Sequence, residues 1–215
     1  MIVTGKPAYA IIAIALACAA ASASAASVAE PKFYVLGSIG RATVDTDPGA
    51  VDGFAIRSGF ATSATVPSNT HDTGWKLQLG YKLSTNIALE GGYTSLGRGQ
   101  YTNTTNLRTV TGKKEASLMG LDLVATAPLS QTFSLLAKIG GYRWTTTNDL
   151  PSPAAGLISI NDSGWDFKLG AGVQYDFTAS FGMRFEFERY TGIGSPTTTG
   201  DSKVNLVSLG AVLKF

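Results

Sequence analysis

Cysteine and histidine, which carry much of the catalytic and metal-binding chemistry of proteins, are almost missing from this sequence. Its 215 residues include one of each, Cys18 and His71. Cys18 lies in an N-terminal segment that we expect to be removed. The mature chain would then contain no disulfide, no zinc-thiolate site and no cysteine nucleophile.

Charged residues are scarce as well. They make up 15% of the sequence, and the formal net charge is +2 at pH 7, with Lys6 in the segment expected to be removed. A mature chain close to neutral gives no electrostatic reason to expect nucleic acid as a partner. Glycine is abundant at 25 residues and aromatic residues make up 10%, a composition that favours the all-β class.

Long apolar runs are absent apart from one near the N-terminus. Residues 1–25 contain Lys6, an apolar run over 8–20 and then a stretch of small residues, which predicts a cleaved Sec-type signal peptide. The run is about 13 residues long, shorter than the ~20 that a helix needs to span hydrocarbon. We therefore expect an exported chain without transmembrane helices. A lipoprotein processing site at Cys18 is an alternative.

Residues 31–215 alternate apolar and polar side chains with the period of two that is typical of β-strands. The alternation is cleanest around Trp165, Phe167 and Leu169, which are separated by Asp166 and Lys168. Eight such segments are predicted, over residues 33–41, 74–82, 87–96, 116–126, 133–144, 164–177, 181–190 and 205–215.

The connections between these segments alternate in length. Turns of roughly three to six residues follow the second, fourth and sixth segments, as in the periplasmic turns of outer-membrane barrels. Long polar stretches follow the others, at residues 42–73, 97–114, 145–163 and 191–203. We therefore predict an all-β domain over residues 31–215: an eight-stranded antiparallel up-and-down transmembrane β-barrel with four long extracellular loops.

The chemistry of the two strand faces favours a membrane barrel over a soluble one, although alternation alone would also fit a lipocalin-like exported protein. The polar face is rich in glycine and in charges of both signs, which suits a narrow lumen filled by paired side chains. The apolar face is bulky and has aromatic residues near the strand ends, where lipid headgroups would lie. Outer-membrane lipid and lipopolysaccharide are thus the expected surroundings.

Four segments, at residues 74–82, 89–98, 170–178 and 183–190, resemble the OmpA-like transmembrane domain family of small eight-stranded outer-membrane barrels. The resemblance covers residues 33–215. The C-terminal Phe215, with Leu213 two positions before it, resembles the signal by which the barrel-assembly machinery recognises such chains during insertion. Many members carry a peptidoglycan-binding domain after the barrel, and peptidoglycan anchoring is not implied for a chain that stops at its last strand.

The resemblance also implies a network of lumen charges that blocks or gates a small pore. Glu90 and Arg184 match the family's glutamate and arginine, whereas Gln174 and Val124 stand where the family has a second carboxylate and a lysine. Further charges on the same face are Lys76, Lys82, Asp122, Lys138, Asp166, Lys168, Glu186 and Glu188. The network is either a structural plug, because buried charges must pair, or a gate.

No catalytic or metal site is predicted. His71 stands beside Asp72 and Thr73 in the first predicted loop, but nothing places a nucleophile within its reach. The acids Asp45, Asp47 and Asp52 lack the spacing of a calcium-binding loop. We expect no cofactor.

The predicted function is therefore that of an integral protein of the cell outer membrane with a mainly structural role in envelope integrity. Its Thr-, Ser-, Asn- and Gly-rich loops could bind extracellular ligands. The alternatives are a small gated pore or channel for small solutes, an outer-membrane enzyme that acts on lipid, and an adhesin.

Overall fold

A computed structural model describes residues 32–46, 64–65, 69–105, 109–152, 156–193 and 202–215. Within these ranges the regular elements are β1 (Phe33–Thr46), β2 (Ala64–Thr65), β3 (Asn69–Lys82), β4 (Ile87–Thr105), β5 (Thr109–Pro128), β6 (Phe133–Ser152), β7 (Gly156–Asp176), β8 (Phe181–Ile193) and β9 (Ser202–Lys214). None of the described residues forms a helix long and apolar enough to cross a membrane. The predicted signal peptide, residues 1–25, lies outside the described ranges.

The eight long strands close into a barrel. Each pairs antiparallel with two neighbours, and the ring is completed by the pairings of β1 with β9 and of β4 with β5. The two-residue β2 pairs with the far end of β4. The predicted all-β, eight-stranded up-and-down barrel is thus confirmed. Closure matters in lipid, because an open sheet edge would leave backbone groups without hydrogen-bond partners.

The strands are staggered around the ring. Tracing hydrogen-bonded partners once around from Phe33 returns to β1 at Thr43, ten residues further along the strand. This stagger requires the strands to tilt against the barrel axis. With eight strands it leaves an interior just wide enough for side chains to fill.

The three short turns, at residues 83–86, 129–132 and 177–180, have the same stabilising hydrogen bond. In each, a hydroxyl at the second turn position accepts a hydrogen bond from the backbone N–H that opens the next strand. The donor-to-acceptor distances are 3.1 Å for Ile87 to Ser84, 3.0 Å for Phe133 to Ser130 and 3.0 Å for Phe181 to Thr178. Hydroxyl side chains stabilise tight turns in this way, and the predicted short connections are confirmed.

The prediction of loops at residues 97–114 and 145–163 is wrong over most of their length, because these residues are largely strand. β4 and β5 stay paired up to Thr104 and Thr109, and β6 and β7 up to Ser152 and Gly156. These stretches show no sustained apolar alternation in the sequence, yet their many threonines favour extended backbone. The other two predicted loops, 42–73 and 191–203, are strand at both ends, and their middle parts lie largely outside the described residues.

Inward-facing glycines allow neighbouring strands and side chains to approach closely. A Cβ atom at Gly40 would overlap the backbone carbonyl oxygen of Val207 and lie 2.7 Å from the Cα of Ser208. Gly37, on the same strand but facing outward, has nothing within 4 Å of that position. The requirement for glycine is therefore a property of the inner face.

We predict that Gly40→Ala lowers the free energy of unfolding by about 1–3 kcal/mol, because the new methyl group meets backbone that cannot move aside. Gly37→Ala is the matched control and should be neutral or slightly stabilising. Urea unfolding of the lipid-reconstituted protein, followed by tryptophan fluorescence, measures both. Equal effects of the two substitutions would contradict this packing account.

Candidate functional site: the barrel interior

The barrel wall has two faces of opposite character. Outward side chains are large, apolar and exposed, with Trp165 at 75% and Phe167 at 70% exposure, and charged side chains such as Glu90 and Lys76 are buried inside. A soluble barrel would be apolar within and polar outside, so this arrangement fits a wall surrounded by lipid. The prediction that the polar face lines the lumen is confirmed by this burial.

Eight charged side chains meet near the middle of the lumen and form what we call the charged layer. Four are basic and four are acidic, and none is more than 5% exposed. They are Lys76, Lys138, Lys168, Arg184, Glu90, Asp122, Glu186 and Glu188. The formal charges in this layer therefore cancel.

Lys138 lies at the centre of the layer. Its Nζ is 2.6 Å from Glu90 Oε2 and 2.8 Å from Glu186 Oε1. Lys76 binds the other side of the layer, 2.5 Å from Glu186 Oε2 and 2.6 Å from Glu188 Oε2. Lys138 on β6 thus joins carboxylates of β4 and β8, whereas Lys76 on β3 binds two carboxylates of β8.

The remaining ions complete the network. Lys168 Nζ lies 2.9 Å from Asp122 Oδ2 and 3.1 Å from Glu188 Oε1. Arg184 forms an ion pair and hydrogen bond with Glu90. Every carboxylate of the layer therefore has a cationic partner, as the high cost of an isolated buried charge requires.

Tyrosines enclose the charged layer from both sides. The hydroxyl of Tyr34 donates a 2.6 Å hydrogen bond to Glu90, while its ring lies 5.3 Å from the Arg184 guanidinium. On the other side, Tyr190 donates a 3.3 Å hydrogen bond to Glu188 and Lys168 lies 5.4 Å from its ring. Each ring supplies a hydrogen bond to an anion and a π face to a cation.

Two apolar layers lie beyond the tyrosines. The turn-side apolar layer, near the short turns, consists of Tyr34, Leu36, Ala88, Val124, Leu136 and Val212. The loop-side apolar layer, at the opposite end, consists of Ala42, Leu96, Leu118, Tyr142, Trp144, Tyr190, Ile193, Val204 and Leu206. The loop-side layer thereby separates the ions from water at its end of the lumen, and the turn-side layer does so over part of the opposite end.

The turn-side layer is interrupted on β7 and β8 by polar side chains. Gln174 accepts a 3.0 Å hydrogen bond from Arg184 Nε and donates one of 2.8 Å to Asp176 Oδ1. Asp176 in turn pairs with Lys214 at 2.6 Å. This chain of contacts leads from the charged layer to a cavity of about 290 Å³ at the mouth of the barrel.

Three residues predicted on the polar face lie outside the charged layer. Lys82 lines the mouth cavity and makes no ion pair with the described residues. Asp166 lies toward the loop end, where it accepts a 2.6 Å hydrogen bond from the Thr191 hydroxyl. Val124, which replaces the family's lysine, is fully buried in the turn-side apolar layer. The lysine's place is thus taken by apolar packing.

The residues considered for catalysis and metal binding form no reactive group among those described. Nδ1 of the exposed His71 lies 3.1 Å from the Thr43 hydroxyl. The backbone of Asp45 pairs with Lys203, and Asp47 and Asp52 lie outside the described residues. Within the described ranges, His, Cys, Asp and Glu form no group of three that could hold a metal ion.

The C-terminal residue closes the barrel at the turn end. Phe215 and Phe33 exchange backbone hydrogen bonds of 2.8 and 3.1 Å, and their rings stack at 6.3 Å. Leu213, two residues earlier, is 42% exposed on the outer face. Both residues therefore lie at the outer surface near the barrel mouth, and their role as an insertion signal stays a prediction.

A closed ring of strands with an apolar exterior and ions inside defines an integral outer-membrane β-barrel. Residues 11–215 match the family model described as "Outer membrane protein beta-barrel domain". The chain belongs to this family, among the small barrels of the OmpA-like type, and is integral to the outer membrane.

Comparison with individual proteins agrees with this family. The chain is 26% identical over 151 residues to Outer membrane protein A of Serratia marcescens, covering 69% of this chain and 41% of that protein. It thus spans about two fifths of that relative's length. OprG from Pseudomonas aeruginosa has a TM-score of 0.57 at 18% identity, covering 86% of this chain and 97% of that chain.

A second solved structure gives the same architecture. Neisserial surface protein A has a TM-score of 0.55 at 14% identity, covering 85% of this chain and 97% of that chain. Likeness at these identities concerns the fold.

We predict that Lys138→Met lowers the free energy of unfolding by about 3–5 kcal/mol, because it leaves two buried carboxylates short of a cation. Adding Glu186→Gln restores a neutral layer and should recover part of the loss. Urea unfolding in lipid vesicles measures both variants. Lys82→Met, outside the layer, is the control and should cost less than about 1 kcal/mol. An equal loss from Lys138→Met and Lys82→Met would contradict a coupled charged layer.

Proposed function

We propose that the protein is a sealed structural barrel that contributes to the integrity of the outer membrane. The observation that carries this proposal is the filling of the lumen, with a neutral layer of paired ions between two apolar layers. A conducting pore needs a continuous polar path. The loop-side apolar layer offers none, since large side chains such as Trp144 and Tyr190 fill it.

The proposed route to the membrane follows from the sequence. Residues 1–25 act as a Sec-type signal peptide, and the barrel-assembly machinery inserts the mature chain after recognising Phe215 and Leu213. The short turns face the periplasm, and the opposite end faces outward, where its loops are available to extracellular ligands. This orientation is supported by the three short turns at one barrel end and by the usual asymmetry of outer-membrane barrels.

The proposed role includes no catalysis. The single histidine of the sequence, His71, contacts a threonine hydroxyl on the surface. The lumen carboxylates are held by lysines and an arginine in a layer that substrate could reach only by displacing the apolar layers. An outer-membrane enzyme would need an acid, base or nucleophile exposed at its rim.

A small gated pore is the second candidate, and one feature favours it. The mouth cavity reaches Arg184, and the polar contacts of Gln174 and Asp176 continue from there to the surface. A pore would need the loop-side apolar layer to open as well. The two proposals therefore differ in what that layer does.

We predict that the purified protein produces no discrete conductance steps in planar lipid bilayers. The double variant Tyr142→Ala with Trp144→Ala, which removes the two largest aromatic groups of β6 from the loop-side layer, should produce them. The variant thus also shows that the assay detects this barrel when it is open. Steps from the unaltered protein that disappear on neutralising Glu90 would establish the gated pore instead.

A deletion strain tests the structural role in cells. We predict that it becomes more sensitive to detergent and bile salt, and that the sealed barrel restores resistance. Growth in graded detergent measures this, with the Tyr142→Ala and Trp144→Ala double variant as the comparison that should not restore it. Unchanged detergent sensitivity in the deletion strain would contradict a role in envelope integrity.

A further inference from the structure

The outer face of the barrel carries three arginines that the lumen network does not use. Arg41 on β1, Arg143 on β6 and Arg189 on β8 share the outward parity of the lipid-facing residues and are exposed. None of them makes a hydrogen bond or ion pair with another described residue. They are thus outward-facing cations without a described partner.

The three arginines lie on alternate strands at nearly the same height on the barrel, within about 1.5 residues of one another. Hydrogen-bonded partners lead from Arg189 through Asn205 to Thr43. Because the stagger is ten residues over eight strands, a line of paired residues rises toward the loop end by about 2.5 residues over two strands. The position on β1 at the height of Arg189 is therefore about 2.5 residues below Thr43, toward the short turns. Arg41, two residues below Thr43, therefore lies level with Arg189.

The same reasoning places Arg143. It pairs with Trp165 on β7, whereas Arg189 pairs with Leu169 on that strand, four residues lower. The stagger accounts for about 2.5 of these four residues. Since neighbouring strands lie about 4.8 Å apart, the three side chains form a row across β1, β8 and β6 with roughly 10 Å between adjacent members.

This row marks the loop-side edge of the apolar band. Directly below Arg41 and Arg189 on their own strands are the outward-facing Ile39 and Phe187, 69% and 43% exposed. Directly above them are the polar Thr43 and Thr191. The arginines therefore stand where hydrocarbon gives way to headgroups.

The turn-side edge of the band is different. Its outward residues include the aromatic Phe33, Tyr81 and Phe181, 44%, 37% and 38% exposed. Among the described residues, the charges near that edge have lumen-facing parity: Lys32, Lys82, Asp176 and Lys214. In the part of the chain that the structure describes, outward positive charge is thus found only at the loop-side edge of the band. If these arginines served only to place polar side chains at the headgroups, similar charges would be expected at both edges.

Among the side chains that the structure describes, no acidic one forms an ion pair with this row. Glu115, an outward acid on β5, lies four residues along the strand from Met119, the residue that pairs with Arg143. The guanidinium groups of the row are therefore available to anionic groups at the membrane surface.

We propose that Arg41, Arg143 and Arg189 bind the phosphate groups of lipopolysaccharide in the outer leaflet. This inference rests on the orientation given under the proposed function. Lipopolysaccharide carries phosphates on the sugars that join its acyl chains, at the height of the row. A guanidinium matches phosphate oxygens with paired donors, and such contacts gain strength beside hydrocarbon.

The experiment measures binding of purified lipid A to the detergent-folded protein by native mass spectrometry, with dephosphorylated lipid A and phosphatidylglycerol as comparison lipids. Each Arg→Gln substitution should weaken lipid A binding by about five-fold, and the triple variant by about 100-fold. Dephosphorylated lipid A should bind the unaltered protein as weakly as lipid A binds the triple variant. Lys82→Gln removes the same charge from the lumen mouth and should leave binding unchanged.

Three results would overturn the proposal: a triple variant with unaltered affinity, equal binding of dephosphorylated lipid A, or equal binding of phosphatidylglycerol. The heat-modifiable electrophoretic band of the triple variant checks that it is folded. If it is not, Arg→Lys at all three positions replaces it: the ammonium keeps the charge but lacks the paired donors, so lipid A should bind this variant more weakly than the unaltered protein, and equal binding would overturn the proposal. A negative result for lipid A binding would leave the sealed-barrel proposal unaffected, because lumen conductance does not depend on these outward side chains.

Discussion

The structure depends on one constraint: ions taken out of water inside a lipid-embedded wall must neutralise one another. Four bases and four acids from six strands meet this condition, with Lys138 between Glu90 and Glu186 at the centre. The arrangement gives every strand from β3 to β8 a place in one network. Removing one ion leaves its partners buried and unpaired. The layer therefore stabilises the packing of strands across the lumen, as backbone hydrogen bonds stabilise the pairing of neighbouring strands around the ring.

The apolar layers stabilise the charged layer. They keep water from the lysines at the centre of the layer, which strengthens the ion pairs of these lysines, and their aromatic members also provide hydrogen bonds to carboxylates. Tyr34 and Tyr190 do both, one on each side of the layer. The same chain thus buries ions inside and presents an apolar surface outside, and the stagger of ten residues sets the narrow bore in which this filling is complete.

Much of the fold could be predicted from the sequence, because lipid on one side and a polar lumen on the other impose a clear alternation. Each short turn also has a serine or threonine at its second position. The meeting of Glu90 with Arg184 was predictable from the family resemblance. The apolar layers were missed, although Leu136 and Val212 share parity with the charges next to them. The extensions of β4 to β7 were missed because threonine-rich strands that leave the membrane lose their apolar face. Which charges pair across the lumen depends on the stagger, which no local pattern records.

The central claim is that water does not reach the lysines at the centre of the charged layer. Water-edited solid-state NMR of the protein in lipid bilayers, with lysine side chains labelled, tests it most directly. The account predicts slow transfer of water magnetisation to the Lys138 and Lys76 ammonium groups and rapid transfer to Lys82 at the mouth. Transfer to Lys138 as rapid as to Lys82 would mean that the lumen is hydrated throughout and would contradict the sealed barrel.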